Sequence, residues 1–180
     1  ILSTINFNLI KLNIENELIF ENDKKVGKSK FNLNKIKRLL DYKIEKNSFD
    51  FHLFDKIDQP KVNYKGKFNF KPFYANIEGN SDEINLDYLF GSNAIIAQLL
   101  KTEIFNNQNI DFKLNVNADN IYKNSNFKKV KLNSRIQEGL IDTDNTKFQW
   151  KDIADFELLE SLIYVRNGEL VLDGKLKINV

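Results

Sequence analysis

Along most of this chain, apolar and polar residues change places at every step. Ile110, Phe112, Leu114, Val116 and Ala118 alternate with Asp111, Lys113, Asn115, Asn117 and Asp119. Successive side chains of a β-strand point to opposite faces, so such a segment becomes a strand with one apolar and one polar face. The same alternation runs through Ile5, Phe7 and Leu9, through Phe49, Phe51 and Leu53, and through Val62, Tyr64, Gly66, Phe68 and Phe70. It returns over Leu132–Ile136 and Leu170–Val180. Leu12 and Ile14 take the opposite parity to Ile5–Leu9, which suggests a bulge or turn near Ile10–Lys11. The expected fold is mainly β. It is a long antiparallel meander forming a strongly curved, groove-like sheet with one or two short helices.

Asn, Asp and Lys clusters mark the expected turns: "END" 21–23, "GNSD" 79–82, "NNQN" 106–109 and "KNSN" 123–126. Asn and Asp suit turns because their side chains bond the local backbone and tolerate positive φ. The clearest turn is "RNGE", 166–169, where Asn167-Gly168 fits a two-residue type I′ hairpin. That register sets Val165 opposite Leu170 and Ile163 opposite Leu172, on one face. The next strand holds Leu170, Leu172, Gly174, Leu176, Ile178 and Val180 in one parity, so Gly174 reads as a small mid-strand residue. Eleven residues make it roughly 36 Å long.

Two segments break the pattern. "SNAIIAQLLKTEIF", 92–105, spaces Ile96, Leu100 and Ile104 by four, with Ser92 or Asn93 as N-cap, and predicts a helix. "NKIKRLLDYKI", 34–44, is a weaker helix candidate with Ile36, Leu39 and Leu40 on one side. Neither composition nor pattern shifts along the chain, so 1–180 reads as a single β-rich domain. With Ile at position 1 and no Met, a fragment of a longer protein is expected.

Few chemistries fit this composition. The net charge of +2 is too balanced for a nucleic-acid surface. With no Cys there are no disulfides, thiolate metal sites or Cys nucleophiles. "VGKSK", 26–30, contains Gly-Lys-Ser, but a phosphate loop needs another Gly where Asn22 stands, so an exposed turn is expected. His52, the one histidine, alternates with Phe51 and Leu53 and so points to a polar face, without the partners a catalytic base requires. "DTDN", 142–145, and "SDEINLD", 81–87, lack the spaced ligands, central Gly and terminal Glu of a calcium loop and read as solvated turns. Trp150 shares parity with Phe148 and could stack a sugar, although packing on a sheet face is its commoner use. A carboxylate enzyme acting on glycans would need two acids converging near Trp150. The chain is read as not an enzyme, with no cofactor and no metal.

What covers the apolar face is the open question. Each inward apolar side chain gains about 1.5–3 kcal/mol on burial. A second sheet, helices or a lipid would all satisfy the same alternation. Four stretches resemble the C-terminal β-rich region of the AsmA-like family of Gram-negative bacteria. They are "GKFNFKPFYANIEGN" (66–80), "LDYLFGSNAIIAQLLKTEIFNNQNIDFKLNVNADNI" (86–121), "FKKVKLNSRIQEGLIDTDNTKFQWKD" (127–152) and "NGELVLDGKLKINV" (167–180). The shared shape is a strand with Pro-Phe, a short helix ending in "LLKTE", alternating strands, and a Gly-x-Leu-x-Leu-x-Gly-x-Leu ending. The resemblance is best over 66–180 and weak over 1–65.

The resemblance implies a periplasmic protein anchored to the inner membrane by a segment outside this sequence. It implies an apolar β-groove involved in phospholipid transport to, and assembly of, the outer membrane. The expected partners are phospholipid acyl chains, and the inner and outer membranes through parts of the chain not present here. Nucleic acid is not expected. The groove candidates carried onto this sequence are Phe68, Phe70, Ile110, Phe112, Leu114, Val116, Leu170, Leu172, Leu176 and Ile178. The competing expectation is a structural or interaction β-domain with a closed core and no lipid ligand.

Overall fold

The alternating segments all form strands. The computed structural model describes residues 1–8, 11–33, 36–56, 58, 61–87, 91, 94–102, 105, 107 and 109–180. Thirteen strands among them make one curved sheet. In chain order they are β1 (Leu2–Phe7), β2 (Leu12–Glu21), β3 (Lys24–Leu33), β4 (Ile36–Ile44), β5 (Ser48–Phe54), β6 (Asn63–Phe70) and β7 (Phe73–Ile84). Then come α1 (Ile95–Lys101), β8 (Ile110–Ile121), β9 (Asn124–Gln137), β10 (Leu140–Asp142), β11 (Lys147–Trp150), β12 (Ala154–Arg166) and β13 (Glu169–Asn179). Neighbours in sequence are neighbours in the sheet from β1 to β10. β10 and β11 share one lane between β9 and β12, and β13 lies beyond β12.

The meander is antiparallel with one exception. β7 and β8 run parallel, Phe73 beside Ile110 and Val116 beside Gly79. A parallel pair cannot be closed by a hairpin and needs a crossover. Residues 85–109 provide it, and α1 is its helix. The helix is shorter than the sequence predicts. Ala94 takes the N-cap position with no side-chain cap bond. Ser92, Asn93 and Ile104 lie outside the described residues, as does Ile10 of the expected bulge; Lys11 beside it has φ +51°.

Three local expectations are corrected. The segment expected as a helix at 34–44 is strand β4 from Ile36 onward, with 34 and 35 outside the described residues. Ile36, Arg38, Leu40, Tyr42 and Ile44 occupy one face, and both strand edges are bonded, to β3 and to β5. Pairing on two sides outweighs a three-residue helical stripe. The expected turn at 79–82 is the interior of β7. Its Ser81 hydroxyl accepts from Tyr64 Oη at 3.1 Å and donates to the Glu83 carbonyl at 2.9 Å, leaving no demand for a turn. The Gly-Lys-Ser of 26–30 lies within β3, not in a turn.

The Asn167-Gly168 hairpin forms as expected, with φ of +52° and +79° and Val165 opposite Leu170. β13 spans eleven residues, Glu169–Asn179. Opposite its middle, β12 bulges between Leu159 and Leu162, with Glu160 at φ +49°. The bulge brings Ser161 so close that a Cβ on residue 174 would sit 2.6 Å from the Ser161 Cβ. That contact is why a glycine stands mid-strand.

Candidate functional site

Strand register carries one apolar face across the whole sheet. Leu40, Leu53, Tyr64, Gly79, Val116 and Leu132 are successive partners on it, from β4 to β9. The other face carries cross-strand charge pairs: Lys30 with Glu15, Lys67 with Asp50, Arg135 with Asp111, and Lys147 with Glu157. Two protein environments divide the apolar face.

Over β8–β10 it is closed. Leu114, Val116, Ala118, Val130, Leu132 and Ile84 form a buried cluster, with Leu86 of the crossover and Tyr64, Ile77 and Phe112 packed on it. A second cluster joins Leu100 of α1 to Ile136 and Ile141, with Phe105, Ile163, Val165 and Leu170 around it. The crossover lies on the apolar face because its own Leu86, Leu100 and Phe105 are apolar. The alternating strip 110–119 is therefore covered by protein, and Val116 is only 3% exposed.

Over β2–β6 the same face forms an open trough of about 470 Å³. Its lining is Leu12, Phe31, Ile36, Arg38, Leu40, Phe49, Phe51, Leu53 and Phe68. Tyr42, Phe49, Phe51, Phe68 and Phe73 form a chain of rings along it, with neighbouring centroids 5.9–6.5 Å apart. Such spacing is favourable for offset or tilted aromatic pairs. The floor beneath the rings is thin. Tyr42 lies over Gly27, Phe51 over Gly66 and Tyr64 over Gly79, each ring so close that a Cβ would fall 2.1–2.3 Å from it. Tyr42 is fixed further by donating to Asn16 Oδ1 at 2.8 Å.

The ten groove candidates separate accordingly. Phe68 lines the trough. Phe70, on the same face, is exposed at the end of β6. Ile110 and Phe112 are half-buried, while Leu114 and Val116 are core. Leu170 packs against the Leu100 cluster. Leu172, Leu176 and Ile178 are exposed on strand β13. The trough residues Leu12, Phe31, Ile36, Arg38 and Leu40 are absent from the sequence candidates, as are Phe49, Phe51 and Leu53. The signal for the last three was the alternation 49–53. For β4 it was the parity of Ile36, Arg38, Leu40, Tyr42 and Ile44, which the adjacent leucines 39 and 40 obscured.

Arg38 is the one charged residue among the described residues of the trough lining. One of its N–H groups donates to the Lys37 carbonyl at 2.8 Å. It makes no ion pair with a described carboxylate. Asp55, whose charge it feels, is held by the turn after β5, accepting from the Val62 N–H at 3.2 Å. Burial raises the Asp55 pKa, but bonds from the backbone amides of Val62, Asp55 and Lys61 outweigh it, and the Arg38 charge adds to them. The carboxyl ends below its ordinary value.

The remaining motifs are structural. His52 Nε2 lies 2.7 Å from Asn63 Oδ1, and its ring packs on Phe54. Asp144 Oδ1 accepts from the Ser161 N–H at 2.5 Å, and Thr143 Oγ1 lies 2.8 Å from Ser161 Oγ. These bonds clip the break between β10 and β11 onto the bulge of β12. Trp150 sits beneath Lys151 Nζ, 5.1 Å from the ring centroid. Among the described residues, no group of three or more His, Cys, Asp or Glu is placed to hold a metal ion, and no helix is long and apolar enough to cross a membrane. No family model, curated protein or solved structure matches this chain.

Proposed function

We propose that this chain is a segment of an AsmA-like periplasmic protein, anchored to the inner membrane by other parts of its polypeptide, and that it conducts phospholipid toward the outer membrane. The observation that carries the reading is the open trough on β2–β6, where half-buried Phe31, Leu40, Phe49, Phe51, Leu53 and Phe68 face a cavity that no described residue covers. Contiguous apolar surface left uncovered is a mark of a ligand groove. Acyl chains would be held there by apolar matching. Contacts of that kind are non-directional, so a chain can slide from one ring to the next without breaking a specific bond. The mechanism requires no reaction and no cofactor.

Burial over β8–β10 favours the second reading, an interaction domain with an ordinary core, for that half of the sheet. Native mass spectrometry decides between them, after incubation with phosphatidylethanolamine vesicles and with lipid extraction from the same sample. The transport reading expects bound phospholipid that disappears in a still-folded Phe51→Asp variant. A charge at that point makes burial of a neighbouring acyl chain costly. A clean apo mass for the unsubstituted chain refutes the reading and leaves the closed-core domain.

A further inference from the structure

The trough is not uniform from end to end. Arg38 stands toward one end beside Phe31, its cross-strand partner on β3, one step inside the terminal Ile36 and Leu12. The rings of Phe49 and Phe68 stand at the other, level with Ile44 on β4. Ile44 is six residues from Arg38, about 20 Å along the strand. A cavity of about 470 Å³ lies within the range of small-molecule sites. A guanidinium carries five N–H donors, of which one is bonded to the Lys37 carbonyl. Asp55, the nearby anion, is engaged by the backbone of its own turn. Lys25, at the opposite end of the strands, is drawn over the Phe20 ring at 5.5 Å. Among the described residues the lining thus has a cation with donors to spare toward one end, while the cation beside the aromatic end, Lys25 opposite Ile44, is turned onto the Phe20 ring.

We infer that Arg38 anchors the anionic head group of a lipid, a carboxylate or a phosphate ester, one acyl chain of which lies over Phe51, Phe49 and Phe68. The inference rests on the trough being a lipid site and adds to that reading a ligand polarity and a fixed orientation. Guanidinium suits the role because it stays charged and presents a planar fork matching carboxylate and phosphate oxygens.

The test compares hexadecanoate, its methyl ester, palmitoyl lysophosphatidate and inorganic phosphate as ligands of the 180-residue chain, titrated by native mass spectrometry and calorimetry. Hexadecanoate and lysophosphatidate should bind at least about tenfold more tightly than the methyl ester, the span expected for a hydrogen bond to a charged group. Arg38→Gln should bring that ratio to about one, and Arg38→Lys should keep most of it. Equal binding of acid and ester, or a ratio that survives Arg38→Gln, overturns the anchor and leaves the trough reading standing. Inorganic phosphate binding as tightly as lysophosphatidate also overturns it, since the site would then recognise a free anion. If neither acid nor ester binds, the anchor falls; phosphatidylethanolamine bound in the same assay then keeps the trough reading, and its absence overturns that reading too.

Discussion

Gly79→Ala is the sharpest test of how the floor of the sheet is built. In an ordinary strand the substitution should help, since glycine in a strand interior costs about 0.5–1 kcal/mol relative to alanine. Here the new Cβ would lie 2.2 Å from Tyr64 Cδ1 and 2.7 Å from Cγ and Cε1. Relaxed carbon contacts are about 3.5–4.0 Å, so the ring must withdraw by over ~1 Å. It has little freedom to do so. Its Cα is fixed in β6 directly opposite residue 79, and its hydroxyl donates to Ser81 Oγ at 3.1 Å. Its far side packs against the Leu114–Val116 cluster. Overpacking of this kind costs about 1–3 kcal/mol. If the ring escapes by releasing Ser81, the lost hydrogen bond costs about 1 kcal/mol.

The net expectation is destabilisation by about 1–3 kcal/mol, read as a lower urea midpoint at unchanged slope. The double-mutant cycle isolates the cause. In a Tyr64→Ala background the same Gly79→Ala change should be neutral or stabilising by up to about 1 kcal/mol. The coupling between the two sites should therefore exceed about 1 kcal/mol. A Gly79→Ala variant more stable than the parent, or a coupling below about 0.5 kcal/mol, would refute the pinned-ring account.

Four further outcomes are expected. Leu114→Ala should cost about 2–5 kcal/mol in urea unfolding, because that side chain is only 9% exposed. Leu176→Ala, at 50% exposed on β13, should cost under about 1 kcal/mol by the same assay, in proportion to the smaller area it buries. Gly168→Ala should cost about 1–2 kcal/mol in thermal unfolding through backbone strain alone, since φ is +79° and no atom lies within 4 Å of the added Cβ. Asp111 is held below the ordinary carboxylate range by two hydrogen bonds from Arg135, at 3.0 and 2.7 Å, against an opposing effect of burial. A carboxylate with a lowered folded pKa stabilises the fold above its unfolded value, near 3.9, and loses that contribution as pH falls through the folded value. Both side chains are partly exposed, so the advantage of the parent over Asp111→Asn should be about 1 kcal/mol or less at neutral pH and should shrink in urea titrations as pH falls below the unfolded carboxyl value, about 3.9.

Much of this architecture is legible in the residues themselves. The 110–119 strip reads as a strand because its period is two over ten residues, and a one-residue slip would reverse every face. Asn167-Gly168 fixes its own register because a type I′ turn demands positive φ at both positions. What could not be read is what depends on a distant partner. Leu39 and Leu40 are adjacent apolar residues in isolation. Only the register shows Leu40 in the trough and Leu39 on the opposite face, beside Phe54. Ser81 looks like a turn residue until Tyr64 arrives from β6. The cover over Leu114 and Val116 is equally invisible in the strip itself, because lipid and protein select the same apolar face.

The boundary between core and trough follows from one topological step. Had β7 and β8 joined by a hairpin, the meander would have been antiparallel throughout, with no segment spare to lie across the face. The parallel pairing of Phe73 with Ile110 forces a long connection. A connection carrying Leu86, Leu100 and Phe105 must bury those side chains, and the apolar face of β8–β10 is where they pack. Among the described residues, the connections between β2 and β6 place nothing comparable over Phe31, Phe49 or Phe51. Those side chains forgo part of the ~1.5–3 kcal/mol that full burial would give each. Polar replacements there would remove that loss at little cost to a half-exposed sheet, yet all but one of the described trough residues are apolar. On the proposed reading an acyl chain covers this apolar surface, and Arg38, the charged residue among its described lining, sets which end of that occupant carries charge.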